Sequence, residues 1–237
     1  MFPNSPGDWI TLIIILTGAI ASAALKKLTP PAAITGAALG WIIYMGGDKE
    51  GLLMLATFFI LGTAATSWGK RHKQTVHTNA GHQSRRTSGQ VFANAGVAAL
   101  AGLGAIFLPG QKPLFQLAMA GSISSAMADT LSSELGMVYG RKYVNILTGK
   151  PDQKGQDGVI SIEGTLIGVA GSAVIALIAL HHYRIIILAG TIGNLADSLL
   201  GALFERKALI SNNTVNFLNT LAGALTAALL TRIPFFG

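Results

Sequence analysis

From Trp9 to Leu25 the chain carries no charged residue, and seven further apolar stretches follow, at roughly 31–47, 51–69, 90–108, 114–138, 159–180, 185–204 and 213–231. Runs of this length and number are the mark of a chain that crosses a bilayer repeatedly. Inside the bilayer every backbone N–H and C=O must be satisfied within the protein, which leaves helices as the economical answer for such segments. Several stretches fall short of the roughly 20 residues that span comfortably, so tilted or interrupted helices are expected among them. The expected fold is all-α: a polytopic membrane protein of about eight transmembrane helices, forming a single integral membrane domain over residues 1–237.

Composition supports that class. Hydrophobic residues make up 51% of the chain and charged residues 11%, which leaves no segment for a separate soluble domain. The 29 glycines suit close helix packing, and the absence of cysteine removes disulfides, thiolate chemistry and cysteine-based metal sites. The first apolar run has no basic residues ahead of it and is followed by Lys26 and Lys27, so it reads as a retained span rather than a cleaved signal peptide.

Eight alternating spans sort the cations unequally. One side receives Lys26, Lys27, Lys70, Arg71, Lys73, Arg85, Arg86, Arg141, Lys142, Lys150, Lys154, Arg206 and Lys207, and the other only Lys49, Lys112, Arg184 and Arg232. Thirteen against four marks the first side as cytoplasmic. Both termini are then expected outside, in the cell inner membrane. The long polar loops, 70–89 and 139–158, fall on the cytoplasmic face, where long loops more often carry function.

A phrase occurs twice. Ala120-Gly-Ser-Ile-Ser-Ser-Ala-Met-Ala-Asp-Thr-Leu131 and Ala189-Gly-Thr-Ile-Gly-Asn-Leu-Ala-Asp-Ser-Leu199 align with one gap, and each sets a carboxylate beside a hydroxyl residue in an apolar run. An ionisable residue there points to function. With the alternating spans, the copies define a parallel internal repeat of helix pairs, approximately 88–138 and 159–205, that would bring Asp129 and Asp197 to similar depth. Ser122, Ser125, Asp129 and Ser133 share one helix face; Gly190, Asn194, Asp197 and Gly201 share the equivalent one. Glu134 lies about 140° round an ideal helix from Asp129, so it faces another neighbour or the helix is interrupted.

Two carboxylates at matched depth repel unless a cation lies between them, and an oxygen-only donor set favours magnesium or manganese, bridged to substrate phosphates. The same residues could instead only tie helices together. The basic loop, with Lys70 and Arg86 at its ends, is the natural phosphate receiver, although cytoplasmic loops are basic for topology and anionic lipid as well. The segment from Gly155 to Thr165 brings Asp157, Ser161 and Glu163 to the start of a helix, where free amides attract anions or a serine simply caps. Gln90, Asn94, Asn212, Asn213, Asn216 and Asn219 cluster at helix starts on the same side. Neither a P-loop nor a kinase signature is present.

These residues, in order, resemble a known family. Lys26-x-Leu28-Thr29, Gly62-Thr63 with Thr66, Gly69 and Lys70, Arg86-x3-Gln90-Val91-x2-Asn94, Ala128-Asp129-Thr130-x2-Ser133-Glu134-x-Gly136, Gly155-x-Asp157-Gly158-x2-Ser161-x2-Gly164-Thr165, Asp197-Ser198-x2-Gly201-Ala202 and Asn212-Asn213-x2-Asn216 together look like the phytyl-phosphate kinases and their transmembrane relatives. The resemblance covers nearly the whole chain. It implies transfer of a phosphoryl group from a nucleoside triphosphate, CTP favoured, to an isoprenoid monophosphate. Asp129 and Asp197 would hold Mg2+, with Lys70, Arg86 and Glu134 completing the catalytic set. Asn94, Lys142, Asp157, Ser161, Glu163, Asn194, Ser198, Asn213 and Asn216 would bind the nucleotide or acceptor. Membrane lipids and the isoprenoid phosphate are the expected partners, with no nucleic acid. A transporter of a small anion or lipid, and a lipid cytidylyltransferase or phosphotransferase, are the alternatives.

Overall fold

The computed structural model describes residues 3–69 and 85–233. Seven helices run through them: α1 (Pro6–Ala24), α2 (Pro30–Ser67), α3 (Ser88–Phe107), α4 (Lys112–Tyr139), α5 (Ile162–Ala179), α6 (Tyr183–Leu203) and α7 (Asn212–Leu230). Hydroxyl residues start most of them. Ser5 and Thr87 form reciprocal capping boxes with Asp8 and Gln90, while Thr29, Ser161 and Ser211 each accept a hydrogen bond from a backbone N–H in the first turn. Each cap satisfies an amide that would otherwise be left without a partner at the helix end.

The expected eight spans become seven helices because the stretches at 31–47 and 51–69 are two limbs of α2. That helix has 38 residues, and only Asp48, at φ 55° and ψ −156°, leaves helical geometry. Straight, it would extend about 57 Å. Instead the Lys27 ammonium donates to Ser67 Oγ at 3.3 Å and the Leu55 side chain rests against Gly40, so the chain doubles back at Asp48. At the bend Asp48 pairs with Lys112 at 2.9 Å and accepts from the Gln116 amide at 3.1 Å.

Among the described residues five helices are long and apolar enough to cross a membrane: α1, α2, α3, α5 and α6. The chain is thus a polytopic integral membrane protein. Of the two helices outside this set, α4 and α7, α4 is the more instructive. It packs against α2, α3, α5, α6 and α7 and buries Ser122, Ser124 and Ser125 completely. A helix enclosed by protein has no need of an apolar surface, since its neighbours replace lipid. By contrast α1 contacts mainly α2 and leaves Trp9, Ile10, Ile13, Ile14 and Ile20 exposed, as a lipid-facing helix should.

Helix ends gather in two groups. At the basic end, Thr29 N–H donates to Arg86 O and Arg86 N–H to Lys27 O, tying the entry of α2 to that of α3. There too, Trp68 Nε1 donates to Tyr139 Oη at 2.9 Å. The segment between α4 and α5 folds as a small antiparallel hairpin, β1 (Val144–Asn145) with β2 (Val159–Ile160). It is pinned to the end of α6 by Arg206, which donates to Asp152 at 2.6 Å. Arg206 accordingly holds the Asp152 carboxyl well below the usual carboxylate range. At the opposite end Tyr44 Oη donates to Asp8 at 2.8 Å.

Candidate functional site

Helix α4 meets α6 and α7 along a seam of small residues. A Cβ on Gly121 would lie 2.6 Å from Gly223 O, and one on Gly193 would land on the Ser125 hydroxyl and 2.9 Å from Asn219 O. The seam is therefore closed only because these positions have no side chain. Such proximity lets serines of α4 bond the neighbouring helices directly. Ser124 Oγ donates to Ile186 O at 3.0 Å, and Ser125 Oγ lies 3.0 Å from both Asn219 O and Asn219 Oδ1.

One turn along α4 from Ser125 lies Asp129, and one turn along α6 from Gly193 lies Asp197. Their carboxyls are within hydrogen-bonding reach of each other. Asn219 Nδ2 donates to Asp197 Oδ1 at 2.6 Å, so a continuous chain of hydrogen bonds runs from Ser125 through Asn219 to Asp197 and joins three helices. Three further carboxylates stand close enough to act electrostatically: Glu205, just beyond α6, and Glu134, on α4 itself, on Asp129, and Asp157, from the segment between α4 and α5, on Asp197. Asp157 is held there because its Cβ packs beside Gly201 and the following Gly158 sits on Ala202.

Arg86 lies beside Thr130, the residue that follows Asp129 on α4. Its guanidinium lies 5.7 Å from the Phe58 ring centre and 6.0 Å from that of Phe59, in a notch left by Gly62 and next to Thr130. Burial lowers its pKa and the charge of Glu134 opposes that shift. Glu134 thus acts on Arg86 as well as on Asp129, and α4 runs uninterrupted through it to Tyr139. Of the two readings of its angular offset, a different neighbour is the one realised.

The remaining sequence candidates divide. Asn94 Nδ2 donates to Gln90 O at 2.9 Å, while its Oδ1 is buried without a partner among the described residues. Asn194 is buried and turned toward Gly168 of α5, and Ser198 donates back to Asn194 O. Asn213 lies against Gly89 of α3, and the Asn216 amide donates to Asn212 Oδ1 at 3.4 Å. Ser161 is engaged as the cap of α5, accepting from Gly164 N–H at 3.1 Å, and Glu163 accepts from Arg141 N–H. Lys142 lies with Ser161, Val144, Ile160 and Leu166 around a separate crevice of about 320 Å3 at the foot of α5. Lys70 lies outside the described residues. The residues that sequence reasoning left out of the site are Asn219, Ser125 and Glu205. Glu205 lies past the end of α6, in the short turn Glu205–Lys207, so helix periodicity gave no signal for it.

Among the described residues no group of three or more His, Cys, Asp and Glu is arranged to hold a metal. The pair Asp129 and Asp197 nonetheless suits Mg2+, which takes one or two carboxylates and completes its shell with water and phosphate oxygens. Contact between two carboxyls requires a proton or a cation, and among the described residues Asn219, Glu205, Glu134 and Asp157 bring amide and carboxylate groups to the pair.

With this geometry in view, residues 13–224 match the profile of an integral membrane protein family, DUF92. The chain belongs to that family. An uncharacterised membrane protein of Methanocaldococcus jannaschii is 36% identical over 235 residues, covering 94% of this chain and 93% of its own length. One from Synechocystis is 32% identical over 231 residues, with coverages of 92% and 90%. The chloroplastic protein VTE6 of Arabidopsis thaliana is 28% identical over 205 residues, which is 81% of this chain and 62% of that protein. No solved structure matches.

Proposed function

We propose that this DUF92 member is a membrane kinase that transfers the terminal phosphoryl group of a nucleoside triphosphate, CTP in preference, to an isoprenoid monophosphate. The observation that carries the reading is the meeting of Asp129 and Asp197 across the α4–α6 seam, with Asp197 braced from α7 by Asn219. The motif resemblance to phytyl-phosphate kinases supplies the substrate class, and the similarity to VTE6 supports it. Repeats at 88–138 and 159–205 would contribute one aspartate each.

In the transfer, an oxygen of the acceptor monophosphate bonds to the γ-phosphorus as the bond from that phosphorus to the β-bridging oxygen breaks. The products are a prenyl diphosphate and a nucleoside diphosphate. The acceptor is already ionised at neutral pH, so positioning and charge stabilisation make up most of the catalysis. Mg2+ held by Asp129 and Asp197 would neutralise charge on the triphosphate. Asn219, itself held by Ser125, fixes the Asp197 carboxylate, and Arg86, seated on its two phenylalanine rings, offers a planar fork for phosphate oxygens. Lys70, Asn94 and Asn213 are proposed as further phosphate and substrate contacts, and Glu134 as the anion that orients Arg86. The active site would face the cytoplasm.

The test is product analysis with protein purified in detergent, Mg2+, CTP or ATP, and a panel of prenyl monophosphates. Diphosphate product that disappears in Asp129→Asn supports the proposal. Nucleotide binding without any transfer refutes it.

A further inference from the structure

Between α3 and α7, at the basic end, a crevice of about 340 Å3 is lined by Gly89, Phe92, Ala93, Asn213, Thr214 and Phe217. Its walls are almost wholly apolar. The Phe92 and Phe217 rings are parallel to within 4°, with centres 6.0 Å apart, and Phe92 is about half exposed on the outer surface of the bundle. The volume lies at the small end of the roughly 300–1,000 Å3 typical of ligand pockets, enough for one slender chain.

The crevice is joined to the carboxylate pair in two ways. At its floor, Ala93 O accepts from Thr220 Oγ1 at 3.3 Å, and Thr220 adjoins Asn219, the residue that holds Asp197. At its mouth stands Asn213, the first of three asparagines spaced by three along α7: Asn213, Asn216 and Asn219. Positions three apart form a stripe on a helix, so amides lead from the mouth of the crevice to the carboxylates. Beside Ala93, the unpartnered Asn94 Oδ1 supplies another buried polar atom on the same helix. An apolar slot that opens beside lipid-facing aromatic surface and ends on an amide track fits a molecule with one hydrocarbon chain and a small polar head.

Resting on the kinase reading above, we infer that the α3–α7 crevice holds the isoprenoid chain of the acceptor, with its phosphate drawn along Asn213 and Asn216 toward Asp129 and Asp197. Phe92 and Phe217 grip the chain. Specificity for a prenyl over a diacyl lipid follows from the room for a single chain.

The experiment is photolabelling of the purified full-length protein with a diazirine-bearing geranylgeranyl monophosphate, followed by peptide mapping. Label is expected on residues of 88–93 and 212–217, and excess unlabelled geranylgeranyl monophosphate should reduce it about tenfold, whereas phosphatidylglycerol at equal concentration should not. Thr214→Trp, which fills the crevice from its rim, should abolish the label there, and Phe92→Ala should weaken it. Leu177→Trp, a lipid-facing control on α5, should leave it intact, and elution as wild type on gel filtration shows that each variant is folded. Label spread over the lipid-facing surface, equal competition by phospholipid, or indifference to Thr214→Trp overturns the inference. Specific labelling in a protein that transfers no phosphate would refute the kinase reading and leave the crevice assignment standing.

Discussion

Gly193→Ala adds one methyl group and removes no polar atom, yet it should unfasten the site. The added Cβ would occupy the position of the Ser125 hydroxyl and sit 2.9 Å from Asn219 O, so both α4 and α7 must retreat from α6. Overpacking of this kind costs about 1–3 kcal/mol. Displacing Ser125 Oγ from Asn219 adds about 0.5–1.5 kcal/mol for a hydrogen bond weakened or lost. Against this, alanine favours the helix by about 1 kcal/mol. The net expectation is a loss of about 1–3 kcal/mol. Gly18 of α1 is the matched control, because a Cβ there meets nothing within 4 Å. Gly18→Ala keeps only the propensity gain and should stabilise by up to about 1 kcal/mol. In a chain of this size each kcal/mol moves Tm by roughly 2–4 °C, so thermal unfolding in detergent should separate the two variants in opposite directions. A Gly193→Ala protein as stable as wild type would show that the α4–α6–α7 seam does not have this close geometry.

Three further outcomes follow from the same geometry. Asp129→Asn and Asp197→Asn should each lower kcat by about a hundredfold or more, and the double variant should be little worse than either, because the carboxylates act as one unit; steady-state kinetics would check both statements. Arg86→Lys keeps the charge but loses the planar stack on Phe58 and Phe59, so kcat/KM should fall about tenfold, with KM for the acceptor rising; an unchanged KM would show that Arg86 serves only to pack. The Asp152 carboxyl has a depressed pKa, so its tie to Arg206 should be fully present above the ordinary carboxylate range and fade as pH falls through that range toward the depressed value. Hydrogen exchange of the 144–160 hairpin should accelerate in Asp152→Asn at neutral pH, and in the wild type only in acid.

Much of this architecture is legible from residue order alone. Long uncharged runs announce the helices, and Ser5, Thr29, Thr87, Ser161 and Ser211 mark where five of them begin. The alternation of spans also groups Lys26, Arg86, Lys142 and Arg206 at one end, in keeping with the contacts Lys27–Ser67, Thr29–Arg86 and Asp152–Arg206. The bend at Asp48 is half legible. Gly46, Gly47 and Asp48 announce a break, but periodicity does not show that the helix resumes after a single residue. Helix α4 looks weakly apolar for a span because its polarity is directed at protein, and only tertiary packing reveals its enclosure.

The site follows the same division. Asp129 and Asp197 stand out because the phrase containing them is repeated and because carboxylates are rare in such runs. Asn219, which braces Asp197, looks like any packing amide, since its partners Ser125 and Asp197 are 94 and 22 residues away. The seat of Arg86 on Phe58 and Phe59, and the facing charge of Glu134, depend on contacts between segments far apart in sequence. The family resemblance implied Lys142 as a substrate contact; in the structure it borders a separate crevice with Ile160, Ser161 and Leu166.

The central claim is phosphoryl transfer at the Asp129–Asp197 pair. Its most direct test is to follow radiolabel from CTP into a prenyl monophosphate, comparing nucleotide labelled at the γ-phosphate with nucleotide labelled at the α-phosphate. The account predicts that only γ-label enters the lipid, with CDP formed in equal amount and both lost in Asp197→Asn. Incorporation of α-label with release of pyrophosphate would contradict it and identify cytidylyl transfer instead.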